Sequence, residues 1–289
     1  MKLSDHVKRV FILGMDGAGN FVQQADTPYL DAWLKRGAYT YDAQAELPTI
    51  SAECWGSVLH GVTPDKHGLD NDKAASEAYS LQSPYPSLFR LAREQLPDAK
   101  LAAFSAWTPI NSGIIEDNIG IHKFSLPDER LTEELLAYIG VNPDVRLLFL
   151  QLDEPDGSGH RYGYGPDSPD YLAAITGSDE RIGRVLERLE ALDLVADSLI
   201  VLLTDHGGGG ENKHGHGSPH PMDRNVFWGC IGPGIRQGVL SGRVSITDTA
   251  AIAALALGLE TPDWDAQLPE GLLDEAAEAD GGKAETDNG

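Results

Sequence analysis

Several short runs along the chain are apolar almost without interruption. They are residues 7–13, 100–106 (KLAAFSA), 145–152 (VRLLFLQL) and 199–203 (LIVLL). A run without polar alternation predicts a strand covered on both faces. Residues 225–231 (NVFWGCI), closed by Gly232-Pro233-Gly234, and residues 39–45 read as two more strands. Between these runs the apolar positions recur at helical spacing. Residues 27–37 predict a helix with Thr27 as N-cap, Pro28 first and Gly37 as C-cap. Residues 85–95 carry Leu88, Leu91 and Ala92 on one face, and residues 168–192 carry Ile182, Val185, Leu186 and Leu189, with Ser168 as N-cap. Residues 129–139 and 247–257 complete the helices, while 67–83 and 107–126 read as irregular, the first as surface loop. Strands and helices in alternation predict an α/β fold: a mostly parallel central sheet with helices on both faces. No internal repeat and no Gly-x-Gly-x-x-Gly fingerprint after the first strand is present.

Polar groups collect where the buried strands end, which is where open α/β sheets bind ligands. Residues 7–13 lead into Gly14-Met15-Asp16-Gly17, and residues 145–152 into Asp153, Glu154, Asp156 and His160. Residues 199–203 lead into Asp205-His206, and the glycine-rich loop that follows adds His214, His216 and His220. Aspartate and neutral histidine are ligands of zinc and similar divalent metals, and their number suggests two ions. Residues 47–69 (LPTISAECWGSVLHGVTPDKHGL) read as a loop, then a helix opening at Ser51 and stopping near Gly61. Ser51 is either a plain N-cap or a hydroxyl held where backbone N–H groups and the helix dipole favour a phosphate. Two metals can clamp the attacking and leaving oxygens of a phosphoryl transfer and activate a serine without a histidine base.

Composition narrows the partners. The 289 residues hold 22 basic and 45 acidic side chains, a formal charge of -23. That argues against nucleic-acid polymers and anionic membranes and favours a small anionic substrate drawn to a local positive centre. Two distant cysteines, Cys54 and Cys230, imply no disulfide framework. No run has the length of a membrane span, and the N-terminal apolar run leads directly into Asp16, so the expectation is a cytoplasmic protein. Residues 1–274 are expected to form one catalytic domain, and 275–289 an acidic, disordered tail. The oligomeric state is left open.

The stretches MDG at Asp16, PTISAECWGSVLHGVTPDKHG at Pro48, EPDGSGH at Glu154, TDHGGG at Thr204 and HGHG at His214 occur in an order that resembles the alkaline phosphatase superfamily. The resemblance is nearest to its type I phosphodiesterase/nucleotide pyrophosphatase branch. It implies an alkaline-phosphatase-like sandwich with two divalent ions, zinc first and manganese or iron as alternatives. It also implies Ser51 as nucleophile, with Thr49 a turn residue. Asp16, Ser51, Asp205 and His206 would hold one ion; Asp156, His160 and His216 the other, with His216 preferred to His214. His220, Asp153 and Glu154 would be supporting residues. At Cys54 the branch is expected to carry an asparagine that contacts a phosphate oxygen, so a thiol there puts the substrate in question or is instead a buried small apolar residue at the helix start. The sulfatase signature is absent, as Ala-Glu-Cys follows Ser51, and no length remains for a large cap domain. The implied activity is hydrolysis of phosphodiester or nucleotide pyrophosphate bonds through a phosphoserine intermediate. Phosphomonoester or phosphonate hydrolysis, or a non-catalytic metal-binding homologue, are the alternatives.

Overall fold

The computed structural model of the protein describes Leu3 and residues 7–274. The expected acidic tail, 275–289, lies outside the described residues. In chain order the elements are β1 (Arg9–Met15), α1 (Pro28–Leu34), β2 (Ala38–Gln44), α2 (Ser51–His60), α3 (Pro64–His67), α4 (Asn71–Ser76), α5 (Leu88–Gln95) and β3 (Leu101–Ser105). A π-helical turn (Ile110–Ile114), β4 (His122–Phe124), α6 (Asp128–Val141), β5 (Leu147–Leu152), α7 (Glu154–Tyr162) and α8 (Pro169–Ala191) follow. The chain then forms β6 (Ser198–Thr204), α9 (Pro221–Arg224), β7 (Asn225–Ile231), β8 (Gly238–Val239) and α10 (Asp248–Leu257).

The strands form one eight-stranded sheet in the order β4-β3-β5-β1-β6-β7-β2-β8. Only β7 is reversed, pairing antiparallel with both β6 and β2. The mostly parallel sheet is borne out, and its buried strands are apolar on both sides for the expected reason. Along β1, Val10 and Ile12 pack into a core shared with α2, α5 and α10, while Phe11, Leu13 and Met15 pack into a second core with α1, α6 and α8. Among the described residues no large cap is built onto this frame.

Register positions the site. Met15 at the end of β1 pairs with Leu152 of β5 and with Thr204 of β6. The next residues, Asp16, Asp153 and Asp205, therefore leave three adjacent central strands at one level.

Several local expectations change. Ser51 is the first residue of α2, with Ile50 in the N-cap position and no side-chain cap bond. Its hydroxyl is thus free for other partners. Helix α1 stops at Leu34, short of Gly37. Thr27 and Ser168 occupy N-cap positions but make no capping bond. Residues 67–83 are not all surface loop: His67 closes α3 and is buried, and α4 follows. Residues 154–162, which carry no helical expectation, form α7 and place Asp156 and His160 one turn apart on the same helix face.

Candidate metal centre and nucleophile

Three aspartates and three histidines converge at the carboxyl ends of β1, β5 and β6. Ligand atoms of Asp16, Asp205 and His206 lie within 4.8 Å of one another, as do those of Asp156, His206 and His216. His206 belongs to both sets, and its ring stacks on that of His216 with centroids 3.9 Å apart.

Each histidine is oriented through its backbone-facing nitrogen. His206 Nδ1 lies 2.8 Å from Gly207 O, His216 Nδ1 2.6 Å from Thr49 O, and His160 Nδ1 2.8 Å from His214 O. A carbonyl can only accept, so in each neutral ring Nδ1 carries the proton and Nε2 presents a lone pair. Those lone pairs face acceptors. His206 Nε2 is 3.5 Å from Asp16 Oδ1 and 3.4 Å from Asp205 Oδ2. His216 Nε2 is 3.6 Å from Asp156 Oδ1 and 3.2 Å from His160 Nε2, which is itself 3.3 Å from Asp156 Oδ2. Asp205 Oδ2 is buried without any hydrogen-bond partner, although Oδ1 accepts from Gly17 N at 3.1 Å. Lone pairs of nitrogen and oxygen converging on one another are relieved by a proton or a metal cation between them. The donor set and the orphaned carboxylate oxygen therefore fit divalent metals of the zinc, manganese or iron type.

Electrostatics without a cation point the same way. Burial, and then the neighbouring carboxylates, push Asp16 well above the usual carboxylate range, and burial followed by Asp156 does the same to Asp205. Burial pulls His216 down to about 4. His160, half exposed and bonded to Asp156, rises to about 9. A site so strained by its own charge is a functional-site candidate on physical grounds.

Ser51 lies at the corner of the first group, its Oγ 3.2 Å from His206 Nε2 and 3.5 Å from Asp16 Oδ1. The neighbouring Thr49 is differently placed. It is fully buried, its hydroxyl donates to Ser218 O at 3.1 Å, and it accepts from Gly217 N at 2.9 Å. Thr49 thus holds the His216 loop against the Ser51 loop.

His214 is exposed and turned to the His160 carbonyl, 3.2 Å away, while His220 accepts from Met222 N at the start of α9. Asp153 accepts from Gln151 at 3.0 Å, and the Glu154 amide is held by Asp128. Cys54 is fully buried at the start of α2, where its Sγ faces the carbonyls of Glu46 and Pro48 at 3.6 and 3.9 Å, the setting of a small apolar residue. The carboxamide beside Ser51 belongs to Asn71, whose Oδ1 accepts from Ala52 N at 3.0 Å.

Sequence reasoning also missed the groups behind the ligands. Trp55 Nε1 and Gln151 Nε2 donate to Asp16 Oδ2 at 2.7 and 3.0 Å, and the Tyr164 hydroxyl donates to Asp156 Oδ1. Gln151 alone carried a signal, as a polar residue inside a buried apolar run.

Residues 10–220 match the type I phosphodiesterase / nucleotide pyrophosphatase family. Human ectonucleotide pyrophosphatase/phosphodiesterase family member 1 is 28% identical over 197 residues, 62% of this chain and 21% of the relative. The Bos taurus bis(5'-adenosyl)-triphosphatase ENPP4 is 23% identical over 214 residues, 69% of this chain and 47% of the relative. The chain thus spans less than half the length of either relative. Among solved structures, an inactive form of murine ectonucleotide pyrophosphatase / phosphodiesterase 5 in complex with AMP superposes with TM-score 0.73 at 14% identity. That match covers 93% of this chain and 100% of the other. The lipoteichoic acid synthase LtaP of Listeria monocytogenes gives TM-score 0.65 at 15% identity, covering 90% of this chain and 74% of its own. With the match running from the first strand through the histidine loop, this chain belongs to the type I phosphodiesterase / nucleotide pyrophosphatase family, within the alkaline phosphatase superfamily.

Proposed function

We propose that the protein hydrolyses phosphodiester or nucleotide pyrophosphate bonds of small substrates, with Ser51 as nucleophile and two divalent metal ions as cofactors. The observation that carries this reading is the place of Ser51 Oγ, 3.2 Å from His206 Nε2 and 3.5 Å from Asp16 Oδ1, where the two ligand groups meet. Asp16, Ser51, Asp205 and His206 would hold one ion and Asp156, His160 and His216 the other, zinc suiting this mixed set best. Such ions supply positive charge that favours the serine alkoxide and neutralises phosphoryl and leaving oxygens. Ser51 Oγ attacks phosphorus, the bond to the leaving oxygen breaks, and water then cleaves the phosphoserine ester to restore the hydroxyl. Asn71 is placed to hydrogen-bond a phosphate oxygen: its Oδ1 is tied to Ala52, which leaves its NH2 group to donate. The hydroxyl of Thr49, already donating and accepting, is not available as nucleophile.

The names of the relatives and the AMP in the murine structure favour a nucleotide-like substrate. Both cysteines are unpaired and buried, in keeping with a reducing cytoplasmic location, and no described helix is long and apolar enough to cross a membrane. The test compares bis-p-nitrophenyl phosphate with p-nitrophenyl phosphate on zinc-loaded protein, with Ser51→Ala as control. Faster turnover of the diester, abolished in Ser51→Ala at unchanged total fold, is expected. Preference for the monoester would overturn the diesterase assignment, and turnover surviving in Ser51→Ala would overturn the nucleophile.

A further inference from the structure

Gln151 is fully buried near the end of β5, and both its amide N–H groups and its carbonyl oxygen have partners. Nε2 donates to Asp16 Oδ2 and to Asp153 Oδ1, both at 3.0 Å. Oε1 accepts from Trp107 N at 2.9 Å and lies 2.9 Å from Ser105 Oγ, whose one proton it shares with Trp107 O at 2.7 Å. Only one amide orientation serves, because the Trp107 N–H cannot accept and a carboxylate oxygen cannot donate. Asp16 Oδ2 also receives the Trp55 indole N–H at 2.7 Å. That oxygen is therefore saturated by two donors from different elements. Asp16 Oδ1 has only the longer approaches of Ser51 Oγ and His206 Nε2, both 3.5 Å.

We infer that Gln151 is a positioning residue for the Ser51-side metal: with Trp55 it fixes Asp16 Oδ2, reserves Oδ1 as a single-oxygen ligand, and ties that ligand to the backbone of Trp107. The amide does this by geometry alone and carries no charge. Its carbonyl holds the first residue of the 107–126 segment, so that segment and the metal ligand share one rigid group. This inference rests on the two-metal reading above.

The test is a zinc-binding isotherm of the full chain in a graded chelator buffer, for the parent, Gln151→Met and Trp55→Phe. The parent is expected to bind two ions. Gln151→Met should weaken one binding step by about 10- to 100-fold, the range for lost outer partners of a metal ligand, and leave the other unchanged. Trp55→Phe should weaken the same step, and the double variant less than the product of the two, because both donors act on one oxygen. If Gln151→Met does not fold, Gln151→Asn, one methylene too short to span Asp16 and Trp107, replaces it. A lowered melting temperature with both binding steps intact would mean that Gln151 is merely structural and would overturn the inference alone. A parent that binds no zinc would overturn the metal reading itself, and the inference with it.

Discussion

Helix α1 is capped from a distance, and the residue that does it sits in an unfavourable place for a charge. The expected cap, Thr27, spends its hydroxyl on Val22 O at 3.1 Å. The carboxylate of Asp179, on α8, takes over: Oδ1 accepts from Leu30 N at 2.8 Å and Oδ2 from Tyr29 N at 3.1 Å. Asp179 is fully buried, and burial raises its pKa from 3.8 to about 6 despite those two bonds. Two substitutions separate the contributions. Asp179→Ala leaves two helix N–H groups without partners, at about 1–3 kcal/mol each when buried. Tyr29 N is partly accessible, so a loss of about 2–4 kcal/mol is expected. Asp179→Asn keeps one acceptor and removes the ionisation.

The sign follows from the direction of the shift. A folded pKa above the unfolded one means that the native state holds the proton over a wider range. Stability from this group is thus fully present below about pH 4 and is lost as pH rises through 6. The shift from 3.8 to about 6 corresponds to about 3 kcal/mol, of which about 2 kcal/mol falls between pH 4.5 and 7.5. Urea unfolding of parent and Asp179→Asn with chelator present, followed by tryptophan fluorescence through the buried Trp33 of α1, measures the difference. Other titrations are common to both chains and cancel. The parent should lose about 2 kcal/mol relative to Asp179→Asn from pH 4.5 to 7.5. Parallel pH profiles would refute the reasoning, as would an Asp179→Ala variant as stable as the parent.

Two further outcomes are expected. His216→Ala should lower bound zinc by one equivalent, whereas His214→Ala, turned to the His160 carbonyl, should retain both; atomic absorption after dialysis distinguishes them. Gly14→Ala would put a Cβ 2.4 Å from Cη2 of the fully buried Trp55, so a loss of about 1–3 kcal/mol by overpacking is expected, and an unchanged thermal midpoint would refute it.

The candidate ligands that end a strand stand out in the sequence because a buried parallel strand is apolar until it leaves the sheet. Asp16 and Asp205 are the first charged residues past such runs, and the register that aligns them follows from strand pairing. Asp156 and His160 were legible as residues but not as one face of a helix, since EPDGSGH carries two glycines that weaken any helical reading. The direction of a side chain was not legible at all. Cys54 lies three residues beyond Ser51 in a motif that suggests a substrate contact, yet α2 turns its thiol toward Glu46 and Pro48. Asn71, twenty positions on, reaches Ala52 instead because α4 begins there. The reversal of β7 escaped notice because its pattern, NVFWGCI, is as apolar as that of a parallel strand buried on both faces.

Trp55 connects these levels. By composition it is a core aromatic, and it does pack edge-on against Phe149 with ring centroids 5.4 Å apart. It can lie there only because Gly14, on the neighbouring β1, has no side chain. The same indole sends its one N–H to Asp16 at the end of that strand. Burial thus gives the ring its place, the glycine lets it approach, and the approach aims a donor at a carboxylate whose other oxygen faces Ser51. A site of like charges stays in one geometry only if neutral donors such as Trp55 and Gln151 hold the ligands before any cation arrives. The hydrophobic core and the reactive centre are for that reason built from the same residues, and a packing change at Gly14 should register as a change in metal binding.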